Sequence, residues 1–307
     1  MTRILIIPVF VMTLALAPQA QTPIPTLKKV AEFDLPGPPG KRFDYLTIDP
    51  DDHYLISAHL AAGQTYVIDL RTNKVVATVS DTPGVEGVEY VPELKKFYTS
   101  NAGDNTTSVV DLRQMKVLKK LPAERKPDGS AYAAPSNKLY VSDERGRAEA
   151  IVDVTKDEIV KTLHFNSETG MPQYDPVARK VYINLQDDNI FAVIDPATDE
   201  VIGRYPVGRC RGNHGMTLDP DHHRAFLSCE GNNLMTVFDL DKHEPIAFLA
   251  MADDPDVIKF DTPLVTAERS RHFIKMIRST TESLKISRSN MPYTASRWIP
   301  KLTASIR

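Results

Sequence analysis

The sequence predicts an all-β protein built from repeated units of short strands, and two observations carry this prediction. The first is a phrase, YVIDLRTNKVVATV at 66–79, which returns in related form beginning at Ser108, Ala150, Ala192 and Thr236. The Asp residues within the five copies fall at 69, 111, 153, 195 and 239, in steps of 42, 42, 42 and 44 residues. A fixed period of this length is typical of repeat architectures.

The second observation is a turn proline that stands about 19 residues before each of these Asp residues. The prolines are Pro50, Pro92, Pro135, Pro176 and Pro220. One period therefore contains a strand, a proline turn, a second strand, a polar loop, a third strand ending in Asp, a short turn and a fourth strand. Antiparallel units of this kind stack radially as the blades of a β-propeller. We predict a β-propeller of four-stranded blades that is seven-bladed in intent, with about five to six blades recognisable here.

The repeats resemble the YVTN family of β-propeller repeats, which occurs in exported bacterial proteins. The resemblance rests on YVIDLRTNKVVATV and on the DPxxxxxYxS-like element before it, and it covers residues 29 to about 261. It implies a seven-bladed propeller and leaves the function open, because this family is mostly of unknown role. We assign the propeller repeats to residues 28–261.

The N-terminus predicts a signal peptide over residues 1–20. Arg3 precedes about fourteen apolar residues, and the small residues Ala17 and Ala20 follow them. This pattern is typical of a secretory signal, and the stretch is too short for a membrane anchor. The alternative is a buried N-terminal strand. Export predicts a secreted or periplasmic protein in an oxidising compartment, with no membrane span after signal cleavage.

The C-terminal end of the chain departs from the repeat. Residues 1–261 contain 28 Lys and Arg against 38 Asp and Glu, whereas residues 262–307 contain 9 basic and 2 acidic residues. The acidic body predicts no nucleic-acid partner. Read one base out of frame, the codons for Met291–Pro292 and Trp298–Ile299 must encode the Ala and Asp that another repeat would carry. We therefore predict that 262–307 is a non-repeat basic tail, out of frame or disordered; the alternative is a genuine divergent tail.

Candidate functional residues cluster in the loops before the innermost strands, which surround the central channel on one face of a propeller. The residue six positions before each turn proline marks this place. The residues at or beside it, with charged and amide neighbours in the same loops, are Arg42, Asp44, Glu86, Asp128, Arg209, Arg211, Asn213, His214 and Asp256. We predict that this channel mouth binds a ligand, because loops on a rigid scaffold carry function. The alternative is that these side chains hydrogen-bond loop backbone and water.

Part of this set forms a candidate site for a divalent cation, because carboxylates and imidazole bind Ca²⁺ or a transition metal. The candidate ligands are Asp44, Glu86, His214 and Asp256. No cofactor is predicted beyond this possible cation.

Two cysteines, Cys210 and Cys229, fall in the same repeat. Each lies at a strand end on the same face of the propeller, so a disulfide is feasible if their Cα atoms come within about 7 Å. The alternatives are two separate thiols, or a metal-binding or catalytic role.

The sequence carries none of the motifs G-x-S-x-G, H-E-x-x-H or C-x-x-C. We therefore predict no catalytic residues and a non-enzymatic exported binding or scaffold protein, monomeric, which takes a small molecule, peptide or protein at the channel mouth. The alternative is a metal-dependent hydrolase of the lactonase- or lyase-like propeller type, with its divalent metal held by the four candidate ligands.

Overall fold

The computed structural model describes residue 35 and residues 43–261, together with short strands at 31–32, 272–277, 285–287 and 304–305. Helix in this part of the chain is limited to 3-10 turns, at Leu60–Ala62, Pro92–Leu94, Ala134–Ser136, Pro220–His222 and Glu230–Asn232. None of the helices in the described residues has the length and apolar character needed to cross a membrane. The first strand is β1 (Ala31–Glu32), and the all-β prediction is confirmed.

Five sheets of four antiparallel strands follow one another along the chain, each with its strands in chain order. The first blade contains β2 (Leu46–Asp49), β3 (Tyr54–His59), β4 (Gln64–Asp69) and β5 (Lys74–Val79). The second contains β6 (Val85–Val91), β7 (Lys96–Asn101), β8 (Thr106–Asp111) and β9 (Lys116–Pro122). The third contains β10 (Pro127–Ala133), β11 (Lys138–Asp143), β12 (Ala148–Asp153) and β13 (Glu158–His164).

The last two complete blades repeat the same order. The fourth contains β14 (Gln173–Asp175), β15 (Lys180–Leu185), β16 (Ile190–Asp195) and β17 (Glu200–Pro206). The fifth contains β18 (Asn213–Asp219), β19 (Arg224–Cys229), β20 (Leu234–Asp239) and β21 (Glu244–Ala250). The structure is therefore a β-propeller of about five blades.

A sixth sheet begins after the fifth blade. It contains the three antiparallel strands β22 (Ile258–Asp261), β23 (His272–Ile277) and β24 (Lys285–Ser287). Strand β1 pairs in parallel with β25 (Ala304–Ser305). Three of these strands fall in the stretch assigned above to a basic tail. The signal peptide and most of that tail, including the codons that carry the reading-frame hypothesis, lie outside the described residues.

Burial within each blade follows from the position of each strand. The four central residues of β4 are buried, whereas β5 alternates between exposed and half-buried residues over most of its length. The same contrast separates β8 from β9 and β16 from β17. Third strands are buried along their central residues because neighbouring blades cover both faces, and fourth strands carry Lys and Glu because they form the half-exposed edge.

The repeated Asp of the sequence builds the turn between the third and fourth strands. Oδ1 of Asp111 accepts the backbone N–H groups of Arg113 and Gln114, each at 2.8 Å. The same pair of bonds recurs in three other blades, at Asp69, Asp153 and Asp239. The turn needs a short acidic side chain that accepts the backbone N–H groups two and three residues further on. This need explains why Asp recurs once in every repeat.

Acid is expected to destabilise the propeller through these turn carboxylates. The backbone N–H of Gln114 lowers the pKa of Asp111, and the Lys156 ammonium lowers the pKa of Asp153 from 3.8 to about 2. Because the folded pKa lies below the unfolded one, this stabilisation is complete above about pH 4 and is lost as the pH falls to about 2. As the pH is lowered across this range, the urea midpoint of Asp153→Asn should fall less steeply than that of the unchanged chain. The exposed Glu158→Gln is the control, and equal slopes in the two variants would contradict the assignment.

A polar contact at the second strand joins blade two to blade three and blade three to blade four. In blade two, Lys96 Nζ lies 2.6 Å from Oδ2 of Asp157, and the Tyr98 hydroxyl donates to Oδ1 of the same carboxylate at 2.6 Å. Lys138 and Tyr140 hold the following blade in the same way. Because the contact repeats with the sequence period, successive innermost strands begin at equivalent levels around the channel.

Candidate functional site

The predicted channel-mouth residues occupy equivalent places on the innermost strands. Glu86, Asp128 and His214 are the second residues of β6, β10 and β18, and Asp44 and Asp256 stand two residues before β2 and β22. The innermost strands of successive blades lie side by side. The repeat therefore brings these side chains to one end of the channel, where Glu86, Asp128, His214 and Asp256 are at most 5% exposed.

One cluster at this end, which we call the His214 group, consists of His214, Glu230 and Asp256. The imidazole Nε2 lies 3.3 Å from Oδ1 of Asp256 and 4.0 Å from Oδ2 of Asp128. One polar atom from each member of the group falls within 4.8 Å of the other two. Blade five and the start of the sixth sheet thus place an imidazole and two carboxyl groups together.

Neighbouring carboxylates keep the imidazole of this group charged. Burial alone would lower the pKa of His214, but the charges of Asp256, Glu230 and Asp128 outweigh burial and raise that pKa to about 9. Burial raises the pKa of Glu230 to about 7, and the Asp256 charge acts in the same direction. At neutral pH His214 is an imidazolium, and Glu230 gains or loses its proton near neutrality.

A second cluster, the Lys126 group, lies beside the first and consists of Lys126, Glu86, Asp128 and Glu144. Its three carboxyl groups have oxygen atoms within 4.8 Å of one another. Lys126 Nζ lies 3.6 Å from Oε2 of Glu86 and from Oδ2 of Asp128, and it donates a hydrogen bond to Glu144. Burial alone would lower the pKa of Lys126, but the three carboxylates raise it above 10.5. The ammonium thus neutralises part of the charge of this group.

The backbone of Lys126 is left-handed, a conformation that glycine adopts at the equivalent places of blades two and five and that Asp254 adopts before Asp256. Lys126 has a φ of 51°, and the residues at the equivalent place before Glu86 and His214 are Gly84 and Gly212, each with a φ of 59°. A left-handed conformation costs a residue with a Cβ about 1–2 kcal/mol. Blade three therefore carries local strain at the residue that supplies the ammonium.

Tyr45 lies near the carboxylates of both groups. Its side chain belongs to the same apolar cluster as Met171 of blade four, so it reaches across the channel from blade one. A Cβ built on Gly129 would lie 3.4 Å from the Tyr45 hydroxyl, which places this hydroxyl beside Asp128. Tyr45 is 8% exposed, and its hydroxyl has no hydrogen-bond partner among the described residues. Burial first, and then the charges of Asp128 and Asp256, raise its pKa above 10.0.

Sequence reasoning missed four members of this site, namely Glu144, Glu230, Lys126 and Tyr45. Glu144 and Glu230 directly follow β11 and β19, so their signal is an acid just after a second strand. Lys126 is marked only by standing where blades two and five have glycine. Tyr45 likewise follows its ring residue at a place where blades two, three and five have glycine.

Other predicted residues lie apart from the two groups. Arg209 and Arg211 are exposed, and the Arg209 guanidinium stacks 5.3 Å from the centre of the Phe248 ring. Asp44 lies at the equivalent ring position of blade one but is not a member of either group as defined above. Arg42 lies outside the described residues.

The loop before β18 is held by an amide and by a disulfide. Asn213 is buried and donates from Nδ2 to Oδ1 of Asn184 at 2.8 Å and to the carbonyl of Ile190 at 2.8 Å. Cys210 and Cys229 form a disulfide with their Cα atoms 5.3 Å apart, and neither residue is exposed. Of the alternatives that the sequence left open, the structure contains the disulfide. These bonds fix the backbone that carries His214.

Comparison with known proteins supports the fold and does not identify a family. No protein-family model and no curated protein matches the chain, so the resemblance to the YVTN repeats stays a prediction. Among solved structures, hydrazine synthase from Kuenenia stuttgartiensis is similar, with a TM-score of 0.55 and 15% identity over 85% of this chain and 97% of that chain. At this identity the likeness shows the fold alone. The comparison supports the conclusion drawn from the sheets, that this chain is a β-propeller.

Proposed function

We propose that this chain is an exported, non-enzymatic binding protein of the YVTN type, whose channel mouth takes a positively charged ligand. One observation carries the proposal: in the part of the chain that the structure describes, the five carboxyl groups of the two clusters lie around one ammonium and one imidazole. Buried carboxylates that lack a countercharge are costly, whereas a bound cation offsets their loss of hydration. The excess of negative charge therefore favours a cationic ligand.

The Lys126 group indicates how the ligand would be received. Its ammonium sits among three carboxyl groups, one of them hydrogen-bonded to it. In the His214 group, the amine of a small molecule or peptide would find two carboxyl groups, and a metal ion would find the imidazole as well once it displaces the imidazole proton.

Export of the chain is part of the proposal. The disulfide between Cys210 and Cys229 supports it, because disulfides persist mainly in the periplasm and outside the cell. A monomeric state and the signal peptide at 1–20 complete the proposal.

Spermidine tests the proposed function in its simplest form. Isothermal titration at about pH 8 should detect spermidine binding that weakens as salt rises, since partly exposed charges are screened. Glu230→Gln should weaken it about tenfold, because a charge-assisted hydrogen bond contributes about 1.5–3 kcal/mol. The control is Glu200→Gln, an exposed residue of β17 that should leave binding unchanged. Equal binding of succinate, or no effect of Glu230→Gln, would refute a cation-selective mouth.

A metal-dependent hydrolase is the second candidate, and the mixed donors of the His214 group favour it. An imidazole and two carboxyl groups that leave further coordination positions open are typical of catalytic metal sites. Hydrolysis of simple lactones by the metal-loaded chain, abolished in His214→Gln, would support this candidate. Metal binding without any such turnover would favour the binding protein.

A further inference from the structure

We propose that the His214 group binds a divalent transition-metal ion, and that Lys126 is a built-in cation filling a second site of the same kind. This inference rests on the proposed function, since it names the class of positively charged ligand that the channel mouth takes. It adds a role for Lys126 that binding of a ligand to the His214 group does not require.

The distances in the His214 group suit a metal ion. Two ligands held about 2.1 Å from a tetrahedral metal ion stand about 3.4 Å apart. Nε2 of His214 and Oδ1 of Asp256 are 3.3 Å apart, and the chosen atom of Glu230 lies within 4.8 Å of both. A small shift of the Glu230 side chain, which is only half-buried, would complete the set. One nitrogen and two carboxylate oxygens favour Mn²⁺ or Zn²⁺ over soft metals.

Polar atoms around the group supply the second, independent observation. The Tyr45 hydroxyl is buried beside Asp128 without a hydrogen-bond partner among the described residues. Oδ1 of Asp128 is also buried without a hydrogen-bond partner among the described residues. Oδ2 of the same residue lies 4.0 Å from Nε2 of His214. Buried polar atoms normally find partners. Water molecules bound to a metal ion in the His214 group would provide these partners.

The Lys126 group repeats this arrangement with a different occupant. Three carboxyl groups surround the ammonium at the distances given above, as ligands surround a cation. Lys126 provides the ammonium from a backbone conformation that glycine adopts in blades two and five. Strain of this kind persists where the surrounding structure requires it. The lysine therefore holds one of two neighbouring acidic sites closed to metal.

Metal stoichiometry of the full chain tests the first half of the proposal. After treatment with a chelator, dialysis against Mn²⁺ or Zn²⁺ should leave about one ion per chain, measured by elemental analysis. His214→Gln and Glu230→Gln should each weaken binding by about 100-fold or more, since even the partners of metal ligands contribute about 10–100-fold. His222→Gln, in a turn after β18, is the control. Binding unaffected by both ligand variants would overturn the assignment.

Lys126→Gly tests the second half and should raise the stoichiometry to about two ions per chain. Lys95→Gly is the matched control, because Lys95 also has a positive φ, of 50°, and its ammonium also faces three carboxylates, those of Asp49, Asp51 and Asp52. Two of those carboxylates are largely exposed, so Lys95→Gly should still bind about one ion. One ion in Lys126→Gly, or two in Lys95→Gly, would overturn the role of Lys126.

The two proposals fail separately. If spermidine binds at the channel mouth and neither metal ion does, the metal site is refuted and the proposed function stands. If neither spermidine nor a metal ion binds a chain that shows the far-ultraviolet circular dichroism of a β-protein, both are refuted.

Discussion

Chains in which Cys210 and Cys229 are both replaced by alanine are expected to lose about 3 kcal/mol of unfolding free energy. The disulfide closes a loop between residues 19 positions apart, and this restriction of the unfolded chain is the main source of the loss. Both cysteines are fully buried in one apolar cluster with Phe191 and Phe238. Alanine is also apolar, so the double variant removes the covalent link without burying a polar atom in this cluster.

Thermal and urea denaturation measure this effect. For a domain of this size the melting temperature should fall by about 6–12 °C. Reduction of the unchanged chain with dithiothreitol is the control and should give nearly the same loss. Equal melting of the oxidised and reduced chains would contradict a stabilising disulfide. The variant should also bind cations more weakly, because the disulfide anchors the loop that leads to His214.

The fold was predictable because each level of the repeat imposes the same structure. An Asp that closes a turn, a third strand with a buried centre and a proline turn recur at one period, so the sequence of each blade supports the prediction for the others. The starts of the innermost strands were predictable for the same reason. Glu86, Asp128, His214 and Asp256 were found by position alone, and the propeller symmetry then brings them to one end.

The other half of the site depends on contacts that the repeat does not encode. Glu144 and Glu230 approach the channel from the ends of second strands, and most blades have other residue types there. Lys126 enters its group from a left-handed backbone conformation, at a place where blades two and five have glycine. Such pairings depend on how far a side chain extends towards the next blade, and a single sequence does not state that distance.

Alanine at Gly215 is expected to have the largest effect of any single substitution considered for this chain. A Cβ at this position would lie 2.0 Å from the carbonyl oxygen of Asp256 and 2.7 Å from Oγ of Ser228. Ser228 donates to that same carbonyl at 2.5 Å, so the contact involves backbone that has no room to yield. Overpacking usually costs about 1–3 kcal/mol, and a clash with backbone at this distance should exceed the upper value.

The comparison that isolates this clash is Gly231→Ala. A Cβ there meets its nearest neighbour, the carbonyl of Arg211, at 3.1 Å, which a shift of a few tenths of an ångström relieves. Its cost should stay below about 1 kcal/mol by urea denaturation. If Gly215→Ala were no less stable than Gly231→Ala, the start of the sixth sheet would not be seated against blade five as described.

Gly215→Ala should also impair cation binding, because Gly215 lies between His214 and Asp256, two members of the His214 group. His214 directly precedes Gly215 on β18, and the carbonyl that the new Cβ would meet belongs to Asp256, two residues before β22. Moving Asp256 away from His214 should weaken Mn²⁺ binding by about tenfold or more. The converse also holds. A cation bound between the two strands stabilises their contact, by about 2.7 kcal/mol at a free concentration 100 times its Kd. Saturating Mn²⁺ should therefore raise the melting temperature of the unchanged chain and leave that of His214→Gln unaltered.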